Sequence, residues 1–458
     1  MKIFISHSNQ DGNVCKALSD ALEAKGHTVF AGSGSLEYCG IGDNFLEIIK
    51  TELRDADVLV VIVTESFVNS PWAQVESSSV VLSTNNIRVF PVVVGDAFVP
   101  YFLGKFPFLR VNTPGEITIT VLNAIEQLRV DKESPTLLEE REAVQLRKAE
   151  FEKRISLLKE ALSNNQLTLV CGAGVSRDSS IPDWNELLVN IFNEAFFSEE
   201  LGNSESKISA EDLLSLMPQS NLILGKYLKL SLKDDFEKIV QKHLYIYYNQ
   251  DRDFESSLIV QDHETINYAL ETNMMKAIVE LARPKRRGTR LESIITFNFD
   301  DIIECALSKH NIEYCSIWKE GQICRIDALP IFHVHGFLPN QRKIDNPNLV
   351  FSEEAYHSQF IDPYSWSNLI QLNTFSTNVC LFVGLSLSDP NLRRLLDISW
   401  RRNQKCRHYI IMRKAPQKNR TDEIATMLFE QDANSLGLNV IWCSDFSEIP
   451  GILSSITI

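Results

Sequence analysis

The sequence predicts an α/β protein of two domains, each built on a parallel sheet. Three observations carry that prediction. At 458 residues the chain is too long for one ordinary domain. Short β-branched runs alternate with helical patterns in two separate stretches, 1–130 and about 166–445. Runs such as VLVVIV (58–63) are apolar at every position, as strands buried on both faces are.

In the first stretch the expected strands are KIFIS (2–6), HTVF (27–30), VLVVIV (58–63) and RVFPVVV (88–94), with helices near 11–25, 43–54 and 72–83. Residues 131–165 are then charged and helix-prone. Leu137, Val144, Phe151 and Leu158 fall seven apart, and Ile155 and Leu162 thicken that stripe. An oligomerising seam and a single amphipathic helix docked on the following domain both fit. The run is short of the heptads a seam needs, which favours docking. From 166 the second α/β pattern places strands at LTLVCG (167–172), SIITFN (293–298), IFHVHG (331–336), VCLFVG (379–384), HYIIM (408–412) and NVIW (439–442). The span of about 185–290 has a helical pattern and reads as an insertion.

Composition narrows the function classes. The chain is 44% hydrophobic and 23% charged, as globular proteins are. Its net charge of −15 argues against duplex nucleic acid, which needs a basic face. The basic run ARPKRRGTR (282–290) lacks interleaved aromatics and reads as a solvated loop. Nine cysteines without a CxxC pair suggest core-filling thiols in a reducing compartment. The N-terminus turns polar after five residues and no apolar run reaches membrane length, so a cytoplasmic protein without membrane contact is expected.

Three motifs stand in order within the first domain: FISHSNQD at the start, AGSGSLEYCGIGDNF (31–45) and SFVNSPWAQVE (66–76). They resemble the TIR domain over about 130 residues. In enzymatic members of that family a glutamate four residues past the helix aromatic is catalytic. Carried onto this chain, with Trp72 as the aromatic, that residue is Glu76. Residues i and i+4 share one helix face, so indole and carboxylate would border one cleft. A TIR domain that only senses or assembles is the alternative.

The second domain opens on LVCGAGVSRDSSIPDW (169–184). A strand running into glycines suggests a bound phosphate. Arg177 stands where a dinucleotide fingerprint needs its third glycine, and no acidic residue follows a second strand at the usual distance. Three further motifs end strands: TFNFDD (296–301), HVHG (333–336) and VGLSLSDP (383–390). Strand C-termini are where open α/β sheets place ligands. By period two, His333 and His335 would share one face of their strand. Asp389-Pro390 reads as a helix N-cap with Pro at the first helical position.

With GAGVS…IPDW leading, these motifs resemble the catalytic domain of the SIR2 (sirtuin) family, in its divergent bacterial branch, over roughly 165–445. The two resemblances imply a flavodoxin-like parallel sheet (1–130), a charged helical linker (131–165) and a Rossmann-like doubly wound sheet with a helical insertion (166–458). They also imply site roles. Gly172, Ala173, Gly174 and Ser176 would contact the pyrophosphate and nearby ribose of NAD. Asn298 would orient the nicotinamide ribose and a water, Asp300 would help seat nicotinamide, and His335 would be the catalytic histidine. Gly384 and Ser386 would lie beneath the adenosine ribose.

Protein-deacylating members carry a zinc held by two CxxC pairs. Cys305, Cys315, Cys324 and Cys380 show no such pairing, so no metal is expected and deacylation loses its usual support. Water is the nearest remaining acceptor, which makes NAD a substrate and the chain an NAD⁺ hydrolase acting on an N-glycosyl bond. The implied setting is a gated bacterial anti-phage effector. It would be a homo-oligomer through its TIR or helical segments, with a phage-derived or nucleotide trigger. A zinc-free NAD-dependent deacylase is the alternative.

Overall fold

The computed structural model describes residues 1–31, 56–68, 70, 87–100, 102–104, 106–128, 137–197, 221–248, 270–284, 290–340, 342–403, 407–414, 416 and 420–457. These form two compact units: Met1–Arg154 with Lys414–Val440, and Ile155–Arg413 with Ile441–Ile458. Among the described residues no helix is long and apolar enough to cross a membrane.

The first unit is organised by one sheet. Its strands are β1 (Lys2–Ser6), β2 (Thr28–Ala31), β3 (Val58–Val63), β4 (Arg88–Val94) and β5 (Leu109–Val111), in the order β2-β1-β3-β4-β5. The pairs are parallel throughout. Every residue of β3 is buried, and alternate residues serve opposite faces. Leu59, Val61 and Val63 join Phe4, Phe67 and Val93 on one side. Val58, Val60 and Ile62 meet Leu18 and Leu22 of the helix Gly12–Ala24, with Val121 and Ile125 of the helix Ile117–Leu128, on the other. That two-sided cover is why VLVVIV carries no alternation. The opening FISHSNQD motif ties two strand ends together: the Asp11 carboxylate accepts hydrogen bonds from the Ser8 hydroxyl and from Thr64 Oγ1, the latter at 2.6 Å. The helices expected near 43–54 and 72–83, Trp72, Glu76 and all but the first residue of the 31–45 loop lie outside the described residues.

A larger sheet lies in the second unit save for the first three residues of its last strand: β6 (Leu167–Cys171), β7 (Ser293–Thr296), β8 (Tyr314–Ile317), β9 (Leu329–His333), β10 (Val379–Val383), β11 (His408–Arg413) and β12 (Leu438–Cys443). Their order is β12-β11-β10-β6-β7-β9-β8. The pairs from β11 through β10, β6, β7 and β9 to β8 are parallel. Strand β6 lies between β7, the next in sequence, and β10, which arrives much later. The sheet therefore changes direction at β6, and the crevice above its C-terminal end is where such sheets admit ligands.

Two of the expected strands are shorter than their apolar runs. SIITFN stops at Thr296 and IFHVHG at His333. Asn298 and His335 consequently sit on the turns beyond the strands, and strand alternation does not relate His333 to His335. The helical expectation for the insertion is met by the helices Trp184–Phe197, Asn221–Leu232, Phe236–Leu244 and Asn273–Ala282. Trp184, which closes the glycine motif, anchors this layer: its ring lies 4.7 Å from Phe351 and 6.0 Å from Phe299. The helix Leu137–Ser163 spans the end of the charged stretch. The division between the two units falls within this helix, after Arg154; Ile155, Leu158 and Leu162 are buried and Phe151 is 36% exposed.

Gly225 tests how tightly the insertion packs. It sits inside the helix Asn221–Leu232, where alanine would add about 1 kcal/mol of helix propensity. A Cβ there would meet the Phe351 carbonyl oxygen at 2.1 Å. The clash outweighs the propensity, and Gly225→Ala should be net destabilising by about 1–3 kcal/mol in thermal or urea denaturation.

Candidate active site

Four strand ends meet at the crevice, and the first contact is between backbones. The loop after β6 lies against the turn after β10: Gly172 N–H donates to Val383 O at 3.0 Å and Gly174 N–H to Gly384 O at 3.1 Å. A Cβ on Gly172 would fall 2.5 Å from Gly384 O, and one on Gly174 would fall 2.8 Å from the Gly384 Cα. Gly384 itself has φ of +70° and would drive a Cβ to 2.7 Å from Val175 N. The glycines are thus required by close packing as much as by any ligand. The loop then closes on itself, with Val175 N–H on Gly172 O and Ser176 N–H on Ala173 O. Four of the N–H groups that a small-residue loop might offer a phosphate are therefore already engaged. Ala173 and Gly174 remain exposed at the crevice.

A polar chain runs inward from this loop. Asn298 Nδ2 donates to Gly172 O and to Ser176 Oγ, both at 3.1 Å. Ser176 Oγ donates to Asp300 Oδ1 at 3.0 Å, and the same oxygen accepts Ile302 N–H at 3.2 Å. The Gly172 carbonyl can only accept, so the amide orientation of Asn298 is fixed with both N–H groups engaged. Its Oδ1 is the atom left for a ligand. Ser176 and Asp300 are buried and their described bonds are to protein. They also support Asn298, through the Ser176 hydroxyl that accepts from its amide and donates to Asp300. Ser386 is exposed, its Oγ 2.7 Å from that of Ser388.

Beneath Asn298 lies a second layer that sequence reasoning missed. His333, fully buried, sets Nε2 2.6 Å from Glu304 Oε1 and Nδ1 3.1 Å from the Asn298 carbonyl oxygen. Ser316 Oγ donates to the same Glu304 oxygen at 2.9 Å, and Glu304 Oε2 is buried without a hydrogen-bond partner. Burial pulls the His333 imidazole down, but the Glu304 carboxylate more than offsets this and holds it above its usual value. Asp301 Oδ1 lies 2.8 Å from the Tyr245 hydroxyl, which comes from the helical insertion, and its Oδ2 accepts Asn340 N–H at 3.2 Å. Desolvation pushes both Asp300 and Asp301 up to about 6.

His335 stands apart from His333. It is partly buried, its ring 4.8 Å edge-on from Phe297, and its Nε2 is 3.5 Å from Asp389 Oδ2. Asp389 Oδ1 accepts Leu392 N–H at 2.8 Å, which is the expected N-cap of the helix Pro390–Asn403. Its contact with His335 is a second role that no local pattern announces. Desolvation holds His335 below its ordinary value, partly countered by the Asp389 charge. The catalytic candidate Glu76 lies outside the described residues. Among the described residues no cluster of His, Cys, Asp or Glu is arranged to hold a metal ion.

The structure therefore brings together the Gly172–Ser176 loop, Asn298, Asp300, His335 and Gly384, from four separate strand ends. Two domains built on parallel sheets, the second with its strand order reversing at β6, define an α/β protein of the doubly wound class. Sequence comparison identifies the parts. Residues 3–158 match the family model of the TIR domain, and residues 292–433 match that of the SIR2-like domain. The chain is a fusion of these two families. It is also 28% identical to a protein of Enterococcus faecium named NAD(+) hydrolase ThsA, over 36% of this chain and 37% of the relative's length. The matched segment thus covers well under half of that relative.

Two measurements check this arrangement. A carboxyl group with a raised folded-state pKa binds its proton more tightly in the native state, so the stability it contributes is lost as pH rises from about 4 to about 6. Asp300→Asn lacks that loss. Its stability relative to the parent should rise by about 3 kcal/mol between pH 4 and 6.5 and then stay level in urea denaturation. Gly384→Ala should lower stability by about 2–4 kcal/mol, because strain at positive φ adds to the clash with the loop.

Proposed function

We propose that the second unit cleaves the nicotinamide–ribose bond of NAD⁺, with water as acceptor. The observation that carries this reading is the placement of Asn298 and His335 just past the ends of the paired strands β7 and β9: Asn298 is bonded to the Gly172–Ser176 loop, and the His335 ring packs on Phe297, the residue before Asn298. The matches to the SIR2-like and TIR families and the name of the Enterococcus relative support it.

The chemistry suits these side chains. Nicotinamide is positively charged in NAD⁺ and departs neutral, so the leaving group needs no strong acid. As the C1′–N bond breaks, the sugar acquires oxocarbenium character. Asn298 Oδ1, fixed by the two bonds its amide nitrogen makes, holds the ribose and the attacking water. Water adds to C1′, nicotinamide leaves with the bond pair, and the proton of the water passes to neutral His335. Products are nicotinamide, ADP-ribose and a proton. Burial helps here, since it keeps the imidazole unprotonated near neutral pH. Capture of the cation by a group of the same nucleotide would instead give a cyclic product.

An enzyme that drains a shared cofactor has to be silent until required. The proposal therefore includes gating, with self-association or a phage-derived signal as the release and depletion of NAD as the defence. The TIR domain is assigned the sensing or assembling part.

Nicotinamide release from NAD⁺, followed with and without extract of phage-infected cells, tests the reading. His335→Ala and Asn298→Ala should each lower the released rate by about 10²-fold or more, while Glu76→Gln leaves it within a few-fold. Full activity in both former variants would overturn the assignment. Loss only in Glu76→Gln would move the chemistry to the first unit, and turnover that needs an acylated peptide would replace hydrolysis by deacylation.

A further inference from the structure

Asp389 has a geometry that exceeds the needs of a helix cap. Its Oδ1 is held twice, by Leu392 N–H at 2.8 Å and by the Tyr356 hydroxyl at 3.2 Å. Tyr356 is itself fixed from behind, since its oxygen accepts Asn391 N–H at 2.6 Å. One helix turn further on, Gln359 donates through Nε2 to Val334 O at 2.7 Å, the carbonyl immediately before His335. The helix Glu353–Ile361 thus grips both sides of the His335–Asp389 contact with residues three apart, which share a face. On the other side the His335 carbonyl accepts Val350 N–H at 2.7 Å, and Gly336, at φ of +106°, lets the chain turn against Asn348. The carboxylate is held by the Leu392 N–H and the main chain on both sides of the imidazole is held by hydrogen bonds, yet the distance between Asp389 Oδ2 and His335 Nε2 is 3.5 Å. That gap is too long for a strong hydrogen bond and short enough for a large Coulombic coupling.

We propose that Asp389 is a positioning residue for His335, acting as the fixed counter-charge that orients the imidazole and keeps it basic enough to take a proton. The inference rests on the cleavage reading above and deepens it. An ionised carboxylate only accepts, so it selects the tautomer with the hydrogen on Nε2 and leaves Nδ1 as the basic nitrogen. When Nδ1 gains the proton from the attacking water, the imidazolium draws towards the Asp389 charge. No covalent bond to Asp389 forms and no proton leaves the imidazole for the carboxylate.

The surroundings support the pairing. Of the titratable groups among the described residues, Asp389 is the one that acts on His335 against the desolvation. His333 is paired with Glu304, Asp300 with Ser176, and Asp301 with Tyr245. Tyr356 is held neutral by burial and by Asp389 itself, well above its usual value. Arg394, on the helix that Asp389 caps, directs its guanidinium to Asn391 Oδ1 and over the Phe360 ring.

Asp389→Asn separates this role from the cap, because asparagine caps helices as well as aspartate and keeps the Oδ1 bonds. The full chain carrying labelled histidine is titrated by NMR, with the His335 signal assigned by its absence in His335→Ala. The His335 midpoint should fall by about one to three pH units in Asp389→Asn, with the thermal midpoint unchanged. In nicotinamide release the acid limb of the pH profile should move down with it. The plateau should fall about 10- to 100-fold while KM stays within about twofold. Asp389→Ser, which also caps, should repeat both effects. A folded Asp389→Asn whose His335 midpoint and acid limb do not move would overturn the proposal. A shifted midpoint in a chain that releases no nicotinamide, even in its parent form, would retain the pairing and sink the cleavage reading instead.

Discussion

The backbone of the loop after β6 rests on the backbone of the turn after β10, and every other feature of the crevice depends on that contact. It brings Gly172 and Gly174 against Gly384 at distances where no side chain fits. With the loop fixed there, the Gly172 carbonyl becomes an anchor for Asn298, and Ser176 passes the constraint on to Asp300 at the start of the helix Ile302–Lys309. A parallel sheet that reverses direction at one strand provides the opening. Glycine decides how close its two lips come. What results is a rim of exposed backbone and a floor of polar side chains whose donors are already paired.

That floor is built in two levels with different physical characters. The upper level, Asn298 and His335, keeps one functional atom of each side chain uncommitted. In the lower level Asp300, Glu304 and His333 are buried and Asp301 is partly buried, and each makes at least one hydrogen bond within the protein. Three carboxyl groups and an imidazole in so small a volume are costly to desolvate. The raised values of Asp300 and Asp301 register that cost. Arrangements of this kind stabilise a fold less than apolar packing would, and a site that must hold an amide and a carbonyl in fixed positions accounts for retaining one here. Tyr245 extends the same network to the helical insertion, so the insertion is joined to the floor and is more than a cover.

Much of this was legible in the sequence, for identifiable reasons. Continuous apolar runs marked β1, β3, β4, β6 and β10 because both faces of a parallel strand are covered. Strand β5 has only three residues and β8 is half-exposed, so neither left a periodic signal. The ordered motifs marked the strand ends that meet in the crevice. Spacing could not show how these residues bond to one another: Ser176 joins Asn298 to Asp300 in the fold, a link between two motifs that neither motif announces. The two histidines of HVHG show the limit most clearly. Period-two reasoning assumed that the strand continued through both, yet it stops at His333, whose partner lies on the helix after β7 while that of His335 caps the helix after β10. Such partnerships are made by topology and cannot be read from local sequence.

The central claim is that the scissile bond of NAD⁺ lies in this crevice, between Asn298 and His335. The most direct test is a crystal structure of the full chain carrying His335→Ala, soaked with NAD⁺. The account predicts the nicotinamide ribose against Asn298 Oδ1, its C1′ within reach of the vacated imidazole position, and the pyrophosphate along Ala173 and Gly174. An NAD⁺ molecule seated elsewhere in the chain, with this crevice empty, would contradict it.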